Sequence, residues 1–185
     1  MLLREVDPKT EWPVVEASLV LRQRVWAEKM RTPLTHDDVI DSFEAIARHW
    51  MAFDGAQVIA AARLTIHDRV EDAPEAGCMV GVFERPPPAP IGFLSRLVVA
   101  PEYRRQGLGR KLDEIRIRAA EEAGCRCLLA LVFAVSGEAR VRQFSACGFS
   151  IRGRGCRDVH PQFASLAAPL VVERLIASAS AQENV

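Results

Sequence analysis

The sequence predicts a single mixed α/β domain, and three observations carry that reading. Arg48-His49-Trp50-Met51-Ala52-Phe53 and the run from Gln57 to Ile66 are strand-like, and Asp54-Gly55 between them suits a tight hairpin turn. From Ile91 to Val135 the chain then runs through strand, glycine-bearing turn, helix and strand without interruption. Finally, 185 residues fit one domain and bury a substantial core without metal or disulfide staples. The domain is expected to span residues 1–175, with residues 176–185 forming a small, polar, mobile tail.

The elements follow in order. Residues 2–6 read as a first strand. Pro13 suits the first turn of a helix over Val14 to Met30, and Val14, Leu21 and Val25 give that helix an apolar side. A polar, Asp-rich stretch from Thr35 to Asp41 leads into the hairpin. Between His67 and Pro90 the composition shifts to acidic residues, two glycines and the run Pro86-Pro87-Pro88-Ala89-Pro90, which cannot sit inside a sheet. This segment reads as an insertion between two strands, either a flexible excursion or a gate over a substrate. Ile91 to Ala100 is the next strand. The helix from Leu108 to Ala123 carries Leu108, Leu112, Ile115 and Ala119 on one face, and Gly124 is its stop. Cys127 to Val135 is apolar throughout, as a strand buried on both faces requires. A short helix over about Glu138 to Cys147 follows, and Gly148 to Arg152 with a stretch around Val159 to Val172 closes the sheet.

The most informative segment is Arg104-Arg105-Gln106-Gly107-Leu108-Gly109, between the 91–100 strand and the 108–123 helix. Glycine lacks a Cβ, so the backbone there reaches positive φ and approaches a ligand closely. Amides in the first turn of a helix have no intrahelical acceptor, and the helix dipole adds partial positive charge at the same point. Arg104, Arg105, Arg110 and Lys111 add cationic side chains. The pattern reads as a cradle for the pyrophosphate of a phosphorylated ligand.

Composition excludes several alternatives. The chain has 24 basic and 24 acidic side chains, a balance that offers no bulk attraction for nucleic acid or an anionic membrane. No apolar run reaches the length of a membrane span, and the first residues lack a secretory pattern, so a cytoplasmic protein is expected. Cys78, Cys125, Cys127, Cys147 and Cys156 are irregularly spaced and read as reduced thiols, with Cys125 and Cys127 on one face of a strand. His36, His49, His67 and His160 are scattered, so no metal is expected.

With these residues in view, the sequence resembles the GNAT superfamily of acyl-CoA-dependent N-acetyltransferases. That family's signature is a strand followed by [Arg/Gln]-x-x-Gly-x-[Gly/Ala] opening a helix, and Arg104, Gly107 and Gly109 fill the three positions. The approach Arg96-Leu97-Val98-Val99-Ala100-Pro101-Glu102-Tyr103-Arg104 and the later Ser145-Ala146-Cys147-Gly148-Phe149 continue the likeness over about residues 91–150. Leu21-Arg22-Gln23-Arg24-Val25-Trp26, Arg48-His49 and Ala62-Arg63-Leu64 extend it more weakly toward the start.

The resemblance implies a mixed, mostly antiparallel central sheet with a splayed parallel strand pair and helices on both faces. It further implies acetyl-CoA, or another acyl-CoA, as acyl donor. Leu97, Val98 and Val99 would bond the pantetheine arm through their backbone, and Arg104, Arg105, Gln106, Gly107, Leu108, Gly109 and Arg110 would hold the pyrophosphate. The acceptor would be a primary amine of a small molecule or peptide, attacking the thioester directly. A homodimer through the closing strands is also compatible with the family.

The chain departs from the pattern at two places. Many members carry Tyr as leaving-group acid where this chain has Phe144, which leaves water, Ser145 or Ser136 to assist. Relatives often place a basic Glu where this chain has Ser95; Ser95 could orient a water, and Glu84, His67 and Asp68 are other candidates for the base. Arg96 could hold a carboxylate or lactone oxygen of the acceptor, or pair with a core acid. Two other readings stay open: an acyltransferase like the acyl-homoserine-lactone synthases, suggested by Ser95-Arg96-Leu97 and the Arg-rich first helix, and a non-catalytic acyl-CoA-binding module.

Overall fold

The sheet grows outward from the expected hairpin. In a computed structural model, which describes residues 1–134, 137–156 and 167–176, β2 (Arg48–Asp54) and β3 (Gln57–His67) pair antiparallel around the Asp54-Gly55 turn. β1 (Leu2–Val6) adds to the free edge of β2, and β4 (Ile91–Val99) to that of β3. β5 (Cys127–Val132) lies parallel to β4, and β7 (Leu170–Leu175) then sits between β5 and β6 (Ser150–Arg154). The result is one seven-stranded sheet of order β1-β2-β3-β4-β5-β7-β6, antiparallel at every pair except β4–β5.

Helices cover both faces because successive strand residues point to opposite sides. Met51, Phe53, Val58, Ala61 and Val98 pack beneath α1 (Trp12–Met30) through its Val15, Leu21 and Val25. Trp50, Ala52, Ala60, Ala62 and Leu94 face the other way, against Leu108, Leu112 and Ala120 of α2 (Leu108–Glu122) and Phe144 of α3 (Gly137–Ala146). α1 therefore lies on one side of the sheet, α2 and α3 on the other.

Three expectations shift. The apolar run from Cys127 is a strand only to Val132; Val135 and Ser136 lie outside the described residues. The closing strand spans Leu170–Leu175 and extends past the expected limit at Val172, while residues 157–166 and the expected mobile tail, residues 177–185, lie outside the described residues. Cys125 and Cys127 do not share a face. Cys125 precedes β5 and packs on the α2 side, whereas Cys127 joins the opposite cluster, because the strand's alternation starts only at residue 127.

The 67–90 segment is a packed cover. Cys78 and Met79 of its second 3-10 turn and Ala73 just after its first are buried, and Ala73 and Met79 meet Ile91, Phe93, Cys127, Leu129 and Val171 of the sheet. At Gly155 a Cβ would stand 2.0 Å from the Cys78 carbonyl oxygen, so the approach of cover to β6 end admits only glycine.

A buried charge network fixes β4 to its surroundings. Glu44 accepts from Arg22 at 2.5 Å and from Arg63 at 2.8 Å, and Asp41 accepts from Arg63 at 2.5 Å and from Arg96 at 2.6 Å. Arg96 also meets Glu75 of the cover at 2.9 Å. Burial pulls Arg22 down to about 10, still protonated, against the field of Glu44. Burial alone would raise the carboxyl pKa values of Asp41 and Glu44, but the facing guanidinium groups outweigh it and lower both.

Because those folded values are depressed, the two carboxylates contribute fully above their ordinary range near pH ~4 and lose that contribution as pH falls from there through the lower folded values. Glu44→Gln is expected to cost about 3–5 kcal/mol in a denaturant titration, since two arginines stay buried without their shared charge. Its acid unfolding limb is expected to be shallower than the parent's; equal stability at neutral pH would show that the network contributes nothing net.

Candidate active site

β4 and β5 are joined at one end only. Their ladder holds Ile91 to Cys127, Gly92 to Leu128 and Phe93 to Leu129, then stops. The closed end depends on Gly92, where a Cβ would lie 2.8 Å from Leu128 Cδ2 and 3.1 Å from Ala120 Cβ. Beyond it, β4 stays bonded to β3 and β5 to β7, so the edges that face each other across the fork have no strand partner among the described residues. Backbone N–H and C=O groups on such an edge are free to pair with an extended, amide-bearing ligand.

A β-bulge gives β4 its bend. Opposite Ala62, β4 places both Arg96 and Leu97, and Arg96 takes φ +57. A left-handed non-glycine residue costs roughly 1–2 kcal/mol, and the ion pairs of Arg96 hold it there. Its guanidinium lies between Asp41 and Glu75, with the Trp26 ring 5.2 Å away. Of the two roles expected for Arg96, the structure shows pairing with core acids.

The open end of the fork is the cradle. After a 3-10 turn at Pro101–Tyr103, Arg105 (φ +63) and Gly107 (φ +79) are both left-handed and α2 begins. No side chain caps that helix, and the first amide to bond back is that of Lys111, to the Gly107 carbonyl. The amides of Leu108, Gly109 and Arg110 therefore open toward the fork mouth as an anion-binding concavity. Leu108 is buried and anchors the turn; Arg105, Gln106 and Arg110 are exposed, and Arg110 donates to Glu114 at 2.7 Å. Arg104 turns back along β4, its Nε donating to the Val99 carbonyl at 3.3 Å and its Nη2 lying 3.8 Å from a Glu28 carboxylate oxygen of α1.

α3 is tied over the same opening. The fully buried Asp113 of α2 accepts from Arg116, from Arg140 and from Gln143 of α3. Leu97 and Gln143 flank Gly109, 3.7 and 3.9 Å from where a Cβ would sit. Phe144 is buried between Phe149, at 4.8 Å between centroids, and the Arg140 guanidinium, 3.9 Å above its ring.

The remaining expected residues scatter. Ser95 lies at the bulge and accepts from Arg63 Nε at 3.0 Å. Glu84, Asp68 and Ser145 are exposed, and Ser136 lies outside the described residues. His67 is buried, its Nε2 is 2.8 Å from Thr65 Oγ1, and burial lowers its pKa. Tyr103 packs at the loop and donates to Asp54 at 2.6 Å. The residues that sequence reading missed are Asp41, Glu44, Glu75, Asp113 and Arg140; the one signal for any of them is an Asp-rich loop following an Arg-bearing helix. Among the described residues no three His, Cys, Asp or Glu side chains are grouped to hold a metal, and no described helix is long and apolar enough to cross a membrane.

A mixed sheet forked between its two parallel strands, with an unbonded helix start at the open end, defines the acetyltransferase class of fold. Residues 13–149 match the acetyltransferase (GNAT) family, and the chain belongs to that family. Among solved structures, the ribosomal-protein-S18-alanine N-acetyltransferase of Escherichia coli superposes with a TM-score of 0.65 at 19% identity, covering 100% of this chain and 99% of that one. An acyl-CoA N-acyltransferase from Pseudomonas aeruginosa gives 0.61 at 17%, covering 94% and 99%, and the ribosomal-protein-alanine N-acetyltransferase of Brucella melitensis 0.61 at 19%, covering 95% and 100%. At these identities the likeness is one of fold. No curated protein matches the chain in sequence.

Gly109 offers a direct test of the fork mouth. It has no positive φ and its Cβ would make only ordinary contacts, so Gly109→Ala is expected to keep or raise the thermal midpoint, a helix alanine being favoured over glycine by about 1 kcal/mol. Binding of a CoA thioester is expected to persist in Gly109→Ala, alanine being admitted at this position of the family signature, and to weaken at least severalfold in Gly109→Leu, whose longer side chain enters the passage between Leu97 and Gln143. Unchanged affinity in Gly109→Leu would place the ligand elsewhere.

Proposed function

We propose that the protein is an N-acyltransferase that moves an acetyl or other acyl group from acyl-CoA to a primary amine within a ternary complex. The observation that carries this reading is the fork itself, a free strand edge leading straight to an unbonded helix start. The edge suits the amide-bearing pantetheine arm and the cradle suits a pyrophosphate, as the unbonded first-turn amides of α2 call for an anion or water. Acyl-CoA, when bound, supplies a thioester carbonyl open to attack. The chain's own contribution is to hold two reactants together, to offer backbone N–H groups at the bulge where negative charge develops, and to shield the fork with α3.

The acceptor side lies toward α1, the 31–47 segment and the cover. The E. coli structure of similar fold belongs to an enzyme of ribosomal-protein alanine, which makes a peptide amine one acceptor class to try beside small amines. A cytoplasmic location belongs to the same proposal. A second reading, an acyl-CoA-binding module without turnover, is favoured by Ser95 being engaged by Arg63 and by Phe144 having no proton to give. The lactone-synthase-like reading is weakened by Arg96, whose Nη2 is taken by Asp41 and Glu75.

Calorimetric titration with acetyl-CoA, CoA and a longer acyl-CoA, followed by assay of thioester loss with an amine panel, separates the readings. Micromolar binding with amine-dependent release of CoA is the expected result. Binding without release across the panel would favour the module, and absence of binding would remove both. Gly107→Val is expected to lower CoA affinity at least tenfold with an unchanged circular-dichroism spectrum, since a β-branched residue cannot hold φ +79 there.

A further inference from the structure

We propose that Glu75 is a positioning residue for acyl transfer: from the cover it fixes Arg96, and with it the bulge amides of β4 that meet the charge developing on the thioester oxygen. This rests on the acyl-donor reading of the fork. β3 and β4 are antiparallel neighbours that a tight turn would suffice to join. The chain instead runs from His67 to Ile91 through the cover, whose Ala73 and Met79 are seated on Ile91 and Phe93 of β4 and on Cys127 and Leu129 of β5. Those four belong to the joined end, where Ile91 pairs with Cys127 and Phe93 with Leu129. The cover is thus fixed to the base of the fork, across both of its strands.

Glu75 lies between the two seated residues and reaches past the last rung of the joined end. Its carboxylate meets Arg96 Nη2 at 2.9 Å, and Asp41, from the segment after α1, meets the same nitrogen at 2.6 Å. The Glu75 backbone is left-handed, φ +53, as is that of Arg96, φ +57, so one ion pair joins two non-glycine residues that both hold a disfavoured conformation. The turn itself does not call for glutamate: its backbone bond, from the Cys78 amide to the residue 75 carbonyl at 2.8 Å, would be made by glycine with less strain. What the side chain holds accounts for the outlier. Glu75 and Arg96 are only 16% and 12% exposed, so water screens the pair poorly.

The two acids that hold Arg96 act differently. Asp41, shared with Arg63, keeps the guanidinium paired whether or not Glu75 is there. With that anchor alone the Arg96 side chain can turn about a single contact, and the bulge it belongs to turns with it; a second anchor from the cover removes that freedom. Backbone donors stabilise a developing charge only while they stay aimed at it, and donors that must reorient during the reaction lose much of their effect. Loss of Glu75 therefore spares donor binding, which rests on the strand edge and the cradle, and reduces polarisation of the thioester carbonyl.

The test uses the full-length protein and acetyl-CoA labelled with carbon-13 at the thioester carbonyl. Calorimetry gives the affinity, and isotope-edited infrared difference spectra give the carbonyl band without need of an acceptor. In the parent the band is expected to move to lower frequency on binding. In Glu75→Gly, which removes the carboxylate and relaxes the left-handed backbone, at least half of that shift is expected to be lost, at an affinity within about twofold of the parent's and with an unchanged circular-dichroism spectrum. Glu75→Gln, which keeps a side-chain oxygen within reach of Arg96, is expected to retain most of it. For any amine the parent acylates, kcat is expected to fall roughly tenfold or more in Glu75→Gly with an unchanged KM for acetyl-CoA. A full shift in Glu75→Gly, a parent that binds acetyl-CoA with no shift, or joint loss of shift, affinity and fold in both variants would overturn the assignment and leave the donor reading standing. Failure of the parent to bind acetyl-CoA would overturn both.

Discussion

The bulge at Arg96 is the constraint on which the site depends. One extra residue in β4 releases the strand from the straight course its ladder with β3 would impose, and the fork opens on the side where that course is lost. A left-handed arginine would not stay in place unaided. Asp41 from the segment after α1 and Glu75 from the cover both hold its guanidinium, while Arg63 on β3 links Asp41 to Glu44 and, through Glu44, to Arg22 of α1. Four regions of the chain thus converge on one backbone distortion. A buried network of this kind is weak evidence for net stability, and its value here lies in specifying a single position for β4.

The second support is Asp113. Its carboxylate takes bonds from Arg116 within α2 and from Arg140 and Gln143 of α3, so the helix that starts at the cradle and the helix that shields the fork share one acceptor. The two devices work on opposite faces of the sheet, one bending β4 and the other holding α3. Neither requires that a side chain act as acid or base, and an acyl transfer driven mainly by positioning is consistent with a Ser95 hydroxyl that is already engaged by Arg63.

Much of this was legible in the sequence wherever the signal is local. The hairpin rested on Asp54-Gly55, α1 on Pro13 and its apolar side, and the cradle on Gly107 and Gly109 between a strand and an amphipathic helix. The bulge was not legible, because the apolar run from Ile91 to Ala100 reads the same with or without an extra residue. The charge network escaped because its partners lie far apart in the chain: Arg22 and Glu44 are 22 residues apart, Arg96 and Asp41 55. Arg22 and Arg63, each inside an apolar run, were the available hint that a buried acid must exist elsewhere. The cover between His67 and Pro90 looked like an excursion because its prolines and acids suggested solvent, yet Ala73 and Met79, with the half-buried Val70, Val82 and Phe83, seat it.

The position of β7 carries a consequence for how the protein is made. β5 forms one wall of the fork, and its outer edge is completed by residues 170–175, inserted between it and the earlier β6. During synthesis β5 therefore emerges well before the strand that will flank it, and its apolar edge waits unpaired while β6, its neighbour in sequence, cannot serve. The half of the molecule that includes the hairpin and α1 has its contacts early; the β5 wall of the fork gains its outer partner only when β7 follows. Binding competence in a nascent chain should accordingly appear in one step once residues 170–175 have emerged and β7 slots into place, and not grow gradually with length.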